Sequence, residues 1–179
     1  MFPNMRRHLQ LISQERSIDI LRKTTNAVLA IRDNITGYTY AVPVSPVYDE
    51  GHLYIHSAPM GHKIAALKAN PKVSLCVIEK DEIHPETLTS YFRSVIVFGT
   101  ARFVTDPKEK LAVLEKLVDK FAPDYRKEGE AEAHQKLAYV AIIDIAIEHI
   151  TGKEAIELVE HLLKREKAEK GSSPLGLFH

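Results

Sequence analysis

The sequence predicts an antiparallel β-barrel with flanking helices. Six or seven segments rich in β-branched and aromatic residues are joined mostly by short turns, and a glycine, Gly99, interrupts one of the longest. Short connections join antiparallel neighbours and cannot span a parallel crossover. A glycine inside a strand pattern marks a bulge or a barrel corner. An open α+β sheet is the alternative arrangement of the same elements.

The elements follow from local chemistry. Ser13 can cap a helix on which Ile18 and Leu21 lie three apart on one face. Ala27-Val28-Leu29-Ala30-Ile31 reads as a strand, and Asp33-Asn34-Ile35-Thr36-Gly37 supplies turn residues. Residues 38–44 form a second strand, bulged or on an edge near Pro43, which has no N–H to donate. Asp49-Glu50-Gly51 turns the chain into a third strand, Leu53-Tyr54-Ile55-His56. Good helix formers fill residues 64–69 until Asn70-Pro71 ends them. Val73, Leu75 and Val77 alternate with Ser74, Cys76 and Ile78 as strand four.

Residues 79–90 are charged and contain Pro85, which predicts a loop. Residues 95–104 return to strand. Asp106-Pro107-Lys108-Glu109 combines a cap, a proline at the first position and an acid at the third, and Leu111, Leu114, Leu117, Val118 and Phe121 then trace a helical stripe. Residues 124–135 read as a charged linker with room for helical turns, and residues 140–150 as the last long strand. Beyond Thr151-Gly152 a helix is expected over 153–170, carrying Ile156, Val159, Leu162 and Leu163, before Gly171-Ser172-Ser173-Pro174 breaks it. The organisation is one domain, 1–152, with 153–179 an amphipathic helix and tail rather than a separate domain.

With 179 residues, 45% apolar and 27% charged, the chain has enough apolar surface for its own core, which excludes a largely disordered protein. The 24 Lys and Arg cancel the 24 Asp and Glu, arguing against a general nucleic-acid binder. One cysteine, Cys76, allows neither an internal disulfide nor a Cys-rich zinc site. No apolar run approaches the ~20 residues needed to cross a bilayer. With no secretory signal pattern, the expected location is the cytoplasm.

One stretch concentrates chemistry: His56-Ser57-Ala58-Pro59-Met60-Gly61-His62-Lys63-Ile64 leaves a strand, turns through Pro and Gly, and enters a helix. Free N–H groups at a helix start attract anions, and Lys63 adds full charge there against the helix dipole. An anionic partner such as phosphate explains that placement; a solvated lysine is the plainer alternative. His56 and His62 lack the neighbouring carboxylates and thiols of a metal site, so no metal is expected. His52, His84, His134, His149 and His161 are scattered, and Cys76 sits mid-strand as an inert thiol. Tyr91-Phe92-Arg93-Ser94 is either core with one exposed Arg or a strand edge offering Arg and a hydroxyl to a polar ligand. Nucleophile elbows, dinucleotide loops and P-loops are absent.

Met5-Arg6-Arg7, Val42-Pro43-Val44, Leu53-Tyr54-Ile55-His56-Ser57-Ala58, Gly61-His62-Lys63, Asn70-Pro71-Lys72-Val73, Tyr91-x-Arg93-Ser94-Val95-Ile96-x-Phe98-Gly99 and Ile150-Thr151-Gly152-Lys153-Glu154 occur in one colinear series. The series resembles the nitroimidazole-resistance (Nim-type) flavoproteins of the wider pyridoxamine 5′-phosphate oxidase-like group. That resemblance implies the FMN-binding split barrel, an antiparallel split β-barrel of Greek-key type. It implies bound FMN, with FAD the alternative and heme a further one. Val42, Pro43 and Val44 would lie along the isoalloxazine ring. His56, Ser57 and Ser94 would contact flavin, and His62 and Lys63 its phosphate, although the wider group often carries Arg or Lys where His62 stands. A homodimer would place the flavin at its interface.

The function so implied is a flavin-dependent reductase acting on a small molecule such as a nitroaromatic, with His56 as candidate proton donor. The basic residues near the C-terminus that hold substrate phosphate in true pyridoxamine phosphate oxidases have no counterpart, which argues against that activity. A non-catalytic flavin or heme binder, and a structural dimer with an empty pocket, are the competing readings.

Overall fold

In the computed structural model, which describes residues 2–160, β1 (Leu11–Ile12) leads into α1 (Gln14–Lys23), whose cap Ser13 accepts a bond from the Arg16 N–H. A hairpin of β2 (Ala27–Arg32) and β3 (Thr39–Val44) follows, then a second of β4 (Val47–Asp49) and β5 (His52–Ser57). After α2 (His62–Ala69) come two long strands, β6 (Lys72–His84) and β7 (Thr89–Val104). The helices α3 (Pro107–Phe121) and α4 (Arg126–Lys136) precede β8 (Ala141–Glu154).

All strand pairs are antiparallel, in the order β3-β2-β6-β7-β8-β5-β4, with β1 also on β8. The connection from β5 through α2 to β6 skips β7 and β8, the long return of a Greek key. The two ends of the path, β3 and β4, are separated in the chain only by Ser45 and Pro46. The sheet must therefore curl until its edges nearly meet, and no ladder among the described residues closes the seam. This is the split barrel expected of the sequence.

Alternation sorts the strands into layers. Leu29, Ile31, Leu53, Ile55, Leu75, Val77, Val95, Val97, Ile143 and Ile145 fill the barrel, with Leu21 of α1 and Ile64 of α2 packed into the same core. Ile142 points the other way and joins Val47, Val104, Val113 and Leu117 beneath α3. β8 reads as a nearly unbroken apolar run because both of its faces are covered. Pro43 lies on β3 at one end of the path, where a missing N–H costs least.

Three expectations change. Residues 79–90 are not a loop: β6 and β7 continue as a two-stranded ribbon to a turn at residues 85–88. Both ribbon faces are largely solvated, so no alternation of apolar residues marks it. Its backbone ladder is backed by the Lys80–Glu82 ion pair and by His84 stacked on Tyr91. Pro85 sits in the turn, where it interrupts nothing. The charged linker is largely α4, whose stripe is too weak to read; Gly129 lets it press so close to α3 that a Cβ there would lie 2.6 Å from a Val118 methyl. Finally, β8 runs through Glu154, and residues 156–160 are helical, so the last helix starts later than 153. The remainder of that expected helix, with Leu162, Leu163 and the Gly171–Pro174 break, lies outside the described residues.

Gly99 sits where the β7–β8 register shifts: Phe98 faces His149 but Gly99 faces Ile147, leaving Glu148 as the extra residue. A Cβ on Gly99 would lie 2.5 Å from the Ala146 carbonyl oxygen. Backbone cannot give way as a side-chain tip can. Gly99→Ala is expected to destabilise the fold by about 1–3 kcal/mol, as overpacking does, and urea unfolding will measure the loss.

Candidate functional site

The β5–α2 connection is built for close approach. Gly61, at φ 124°, caps α2 without a side chain and holds a backbone conformation that residues with a Cβ rarely adopt. The first N–H groups of a helix have no intrahelical partner, no side chain caps them here, and no acid stands in the first turn. Lys63 is half-buried beside them, and burial pushes its pKa down. Among the described residues Lys63 has no carboxylate within ion-pair distance. Donors, dipole and an uncompensated ammonium thus converge, an arrangement that suits a phosphate group.

His62, the first residue of α2, is held from two sides. Its Nε2 lies 3.0 Å from Asp33 Oδ2, and its ring stacks on Tyr40 with centroids 4.2 Å apart. Asp33 is 1% exposed, though its position directly after β2 reads only as turn chemistry in sequence. The carboxylate accepts from the Thr36 hydroxyl and the Ile35 N–H as well as facing His62, and these bonds lower its pKa to about 2. The β2–β3 hairpin is thereby fastened to the start of α2.

β3 runs from that anchor at Tyr40 to Val44, about 13 Å at the usual rise per residue. Val42 is half-buried and Val44 buried, while Pro43 faces outward. The edge of β3 away from β2 pairs with no strand among the described residues, so backbone polar groups there are free for a flat polar ligand. At the far end lies a cavity of about 540 Å³ between β5 and the α3–α4 pair. His56 and Ser45 are on its wall, with Leu114, Val118 and Phe121 opposite. His56 is exposed, at the outward-facing end of β5, with Ser57 half-buried beside it.

His62 stacks on Tyr40 at one end of β3, with Lys63 next to it in α2, and the cavity walled by Ser45 and His56 lies at the other end; between them Val42 and Val44 turn inward to the barrel core and Pro43 faces outward. Ser94 does not join them. It lies on β7 between Ile78 and Lys153, three strands from β3 along the sheet. Its neighbour Arg93 is tied to structure: its Nε donates to Glu154 at 2.8 Å and its Nη1 to Glu79 at 2.9 Å. Burial works against the Arg93 charge, but those carboxylates outweigh it and raise its pKa.

Two of the other histidines, His52 and His149, have local partners. His52 Nδ1 lies 2.7 Å from buried Asp144, and His149 stacks on Phe2; His161 lies outside the described residues. No group of three or more metal-ligating side chains occurs among the described residues, and no described helix is long and apolar enough to cross a membrane.

Sequence reasoning missed Asp33, Tyr40 and Ser45. A buried carboxylate 29 residues from its histidine leaves no spacing signal, and Ser45 matters only because it shares a cavity wall with residues of α3 and α4.

Comparison with known proteins agrees with this architecture. No curated protein matches the chain. Among solved structures, a protein ascribed to 5-nitroimidazole antibiotic resistance from Bacteroides thetaiotaomicron is 23% identical over 80% of this chain and 86% of that one, with TM-score 0.66. A flavocytochrome from Azotobacter vinelandii is 23% identical over 85% of this chain and 72% of its own, with TM-score 0.70. An FAD-binding protein from Mesorhizobium loti is 25% identical over 81% and 95%, with TM-score 0.59. A family model described as pyridoxamine 5′-phosphate oxidase matches residues 13–154, from the cap of α1 to the last residue of β8. The chain belongs to the pyridoxamine 5′-phosphate oxidase family.

Proposed function

We propose that the protein binds a flavin nucleotide, FMN in the first instance, and uses it to reduce a small aromatic substrate such as a nitroaromatic. The observation that carries this is the start of α2, with no side-chain cap and with Lys63 beside it in no ion pair among the described residues, at one end of the β3 edge that no described strand pairs. Phosphate would be held by the first N–H groups of α2, Lys63 and His62, and the ring would lie along Val42, Pro43 and Val44. FAD fits the same contacts if its adenosine projects into solvent, and the FAD-binding neighbour from Mesorhizobium loti supports a flavin in either form. A bound flavin supplies the electron-transfer chemistry; the chain supplies binding, orientation and a proton. The cavity beside His56 has room for an aromatic ring, and Leu114, Leu117, Val118 and Phe121 give it an apolar wall.

The flavocytochrome neighbour keeps heme as the second reading. The absorption spectrum of the purified protein separates the two: flavin bands support the proposal, and a Soret band alone overturns it.

Lys63→Ala is expected to weaken FMN binding ten- to hundredfold, while Lys68→Ala, more than a turn along α2, leaves it unchanged. A charge-assisted contact of about 1.5–3 kcal/mol gives that range, and fluorescence titration of FMN reads it. His56→Ala is expected to keep the fold and lower turnover of a model nitroaromatic at saturating flavin by roughly 10²–10⁴-fold, the usual loss with a proton donor; unchanged turnover would make His56 a structural residue.

The assembly we propose is a homodimer. Val28, Ile78, Ile96 and Phe98 lie on the outer face of β2, β6 and β7 with 37–62% of their surface exposed. Covering such a patch favours association, and a second copy could bring its own Ser94 toward this ring site. Sedimentation at micromolar concentration is expected to give the dimer mass, and Ile96→Glu the monomer mass.

A further inference from the structure

We propose that Asp33 is a positioning residue for the flavin phosphate, acting through His62: its buried carboxylate and the Tyr40 ring hold the imidazole so that its free nitrogen and Lys63 address the same anion. This inference rests on the phosphate reading of the α2 start given above. A turn aspartate commonly accepts one backbone N–H and leaves its other oxygen in water. Asp33 is almost fully buried and divides its oxygens. Oδ1 accepts from the Ile35 N–H at 2.9 Å, while Oδ2 takes the Thr36 hydroxyl and faces His62 Nε2 at 3.0 Å. With Nε2–H donated to Asp33, Nδ1 of His62 is left to meet a ligand and has no partner among the described residues; a phosphate oxygen is itself an acceptor, so the ring that binds it carries a proton on Nδ1 as well and donates from both nitrogens. Stacking on Tyr40 removes the remaining freedom of the ring. The carboxylate, imidazolium and anion would then form a series in which one ring N–H donates to Asp33 and the other to the phosphate, the carboxylate fixing the ring's direction as such partners do behind ligating histidines.

Charge alone would give the opposite effect. A carboxylate behind an anion site repels the anion through space, so neutralising Asp33 would tighten phosphate binding if His62 were already in place. The positioning role requires that neutralising it weaken binding, and only for ligands that carry the phosphate. The sign of the change therefore decides between the two.

The test titrates FMN and riboflavin, which differ by that phosphate, against the flavin-free full chain and its Asp33→Asn, His62→Gln and double variants. Asparagine keeps the turn, since either residue can accept the Ile35 N–H. Asp33→Asn is expected to weaken FMN about tenfold, the loss usual for a partner behind a ligating histidine, and to leave riboflavin within about twofold. Adding Asp33→Asn to His62→Gln should cost nothing further. Unchanged or tighter FMN binding, an equal loss for both flavins, or a full additional loss in the double variant would overturn the proposal. Should Asp33→Asn fail to fold, Tyr40→Leu removes the other support of the same ring and must give the same FMN-selective loss. A parent chain that binds riboflavin as tightly as FMN would instead overturn the phosphate reading itself, and the proposal with it.

Discussion

The structure depends on β8 being buried on both faces. Ile143 and Ile145 close the barrel, while Ile142 on the reverse face seats α3 through Val113 and Leu117. β7 lies along one edge, and β5 and β1 along the other. A strand used from every side has no freedom of register, because a one-residue slip would exchange its two cores. That fixed register sets where β5 ends, and hence where His56 stands and where the chain leaves for α2.

Charge is buried at the far end of the same strand. Glu154 is 2% exposed and receives Arg16 from α1 at 3.1 Å and Arg93 from β7 at 2.8 Å. Removing one partner of a buried ion pair typically costs about 3–5 kcal/mol, since the other is left uncompensated. The network therefore constrains the N-terminal helix more than it adds net stability. The Asp33–His62 contact has the same logic at the opposite side of the barrel, but its histidine keeps one nitrogen free.

The candidate site is thus held between two rigid ends. One is the β2–β3 hairpin fastened to α2 by Asp33 and Tyr40; the other is the α3–α4 pair laid over β5 and β8. Between them the edge of β3 away from β2 pairs with no strand among the described residues. A flat ligand with an anionic tail is the occupant proposed for that series of features.

Much of this was legible in the sequence because it is local. Ser13 and Asp106 cap helices through bonds three residues long, and Pro43 and Gly99 mark an edge and a register shift through the shape of single residues. The His56–Lys63 stretch announces a strand-to-helix turn with free donors, and that turn joins β5 to α2. What only the tertiary structure decided is long-range. The ribbon at residues 79–90 is held by a backbone ladder, which polar side chains neither reveal nor prevent. α4 has almost no apolar stripe and folds against α3 through Gly129. Asp33 looks like any turn residue until α2 buries it, because the burial of a carboxylate is a property of what packs over it and leaves no trace in its own neighbours along the chain.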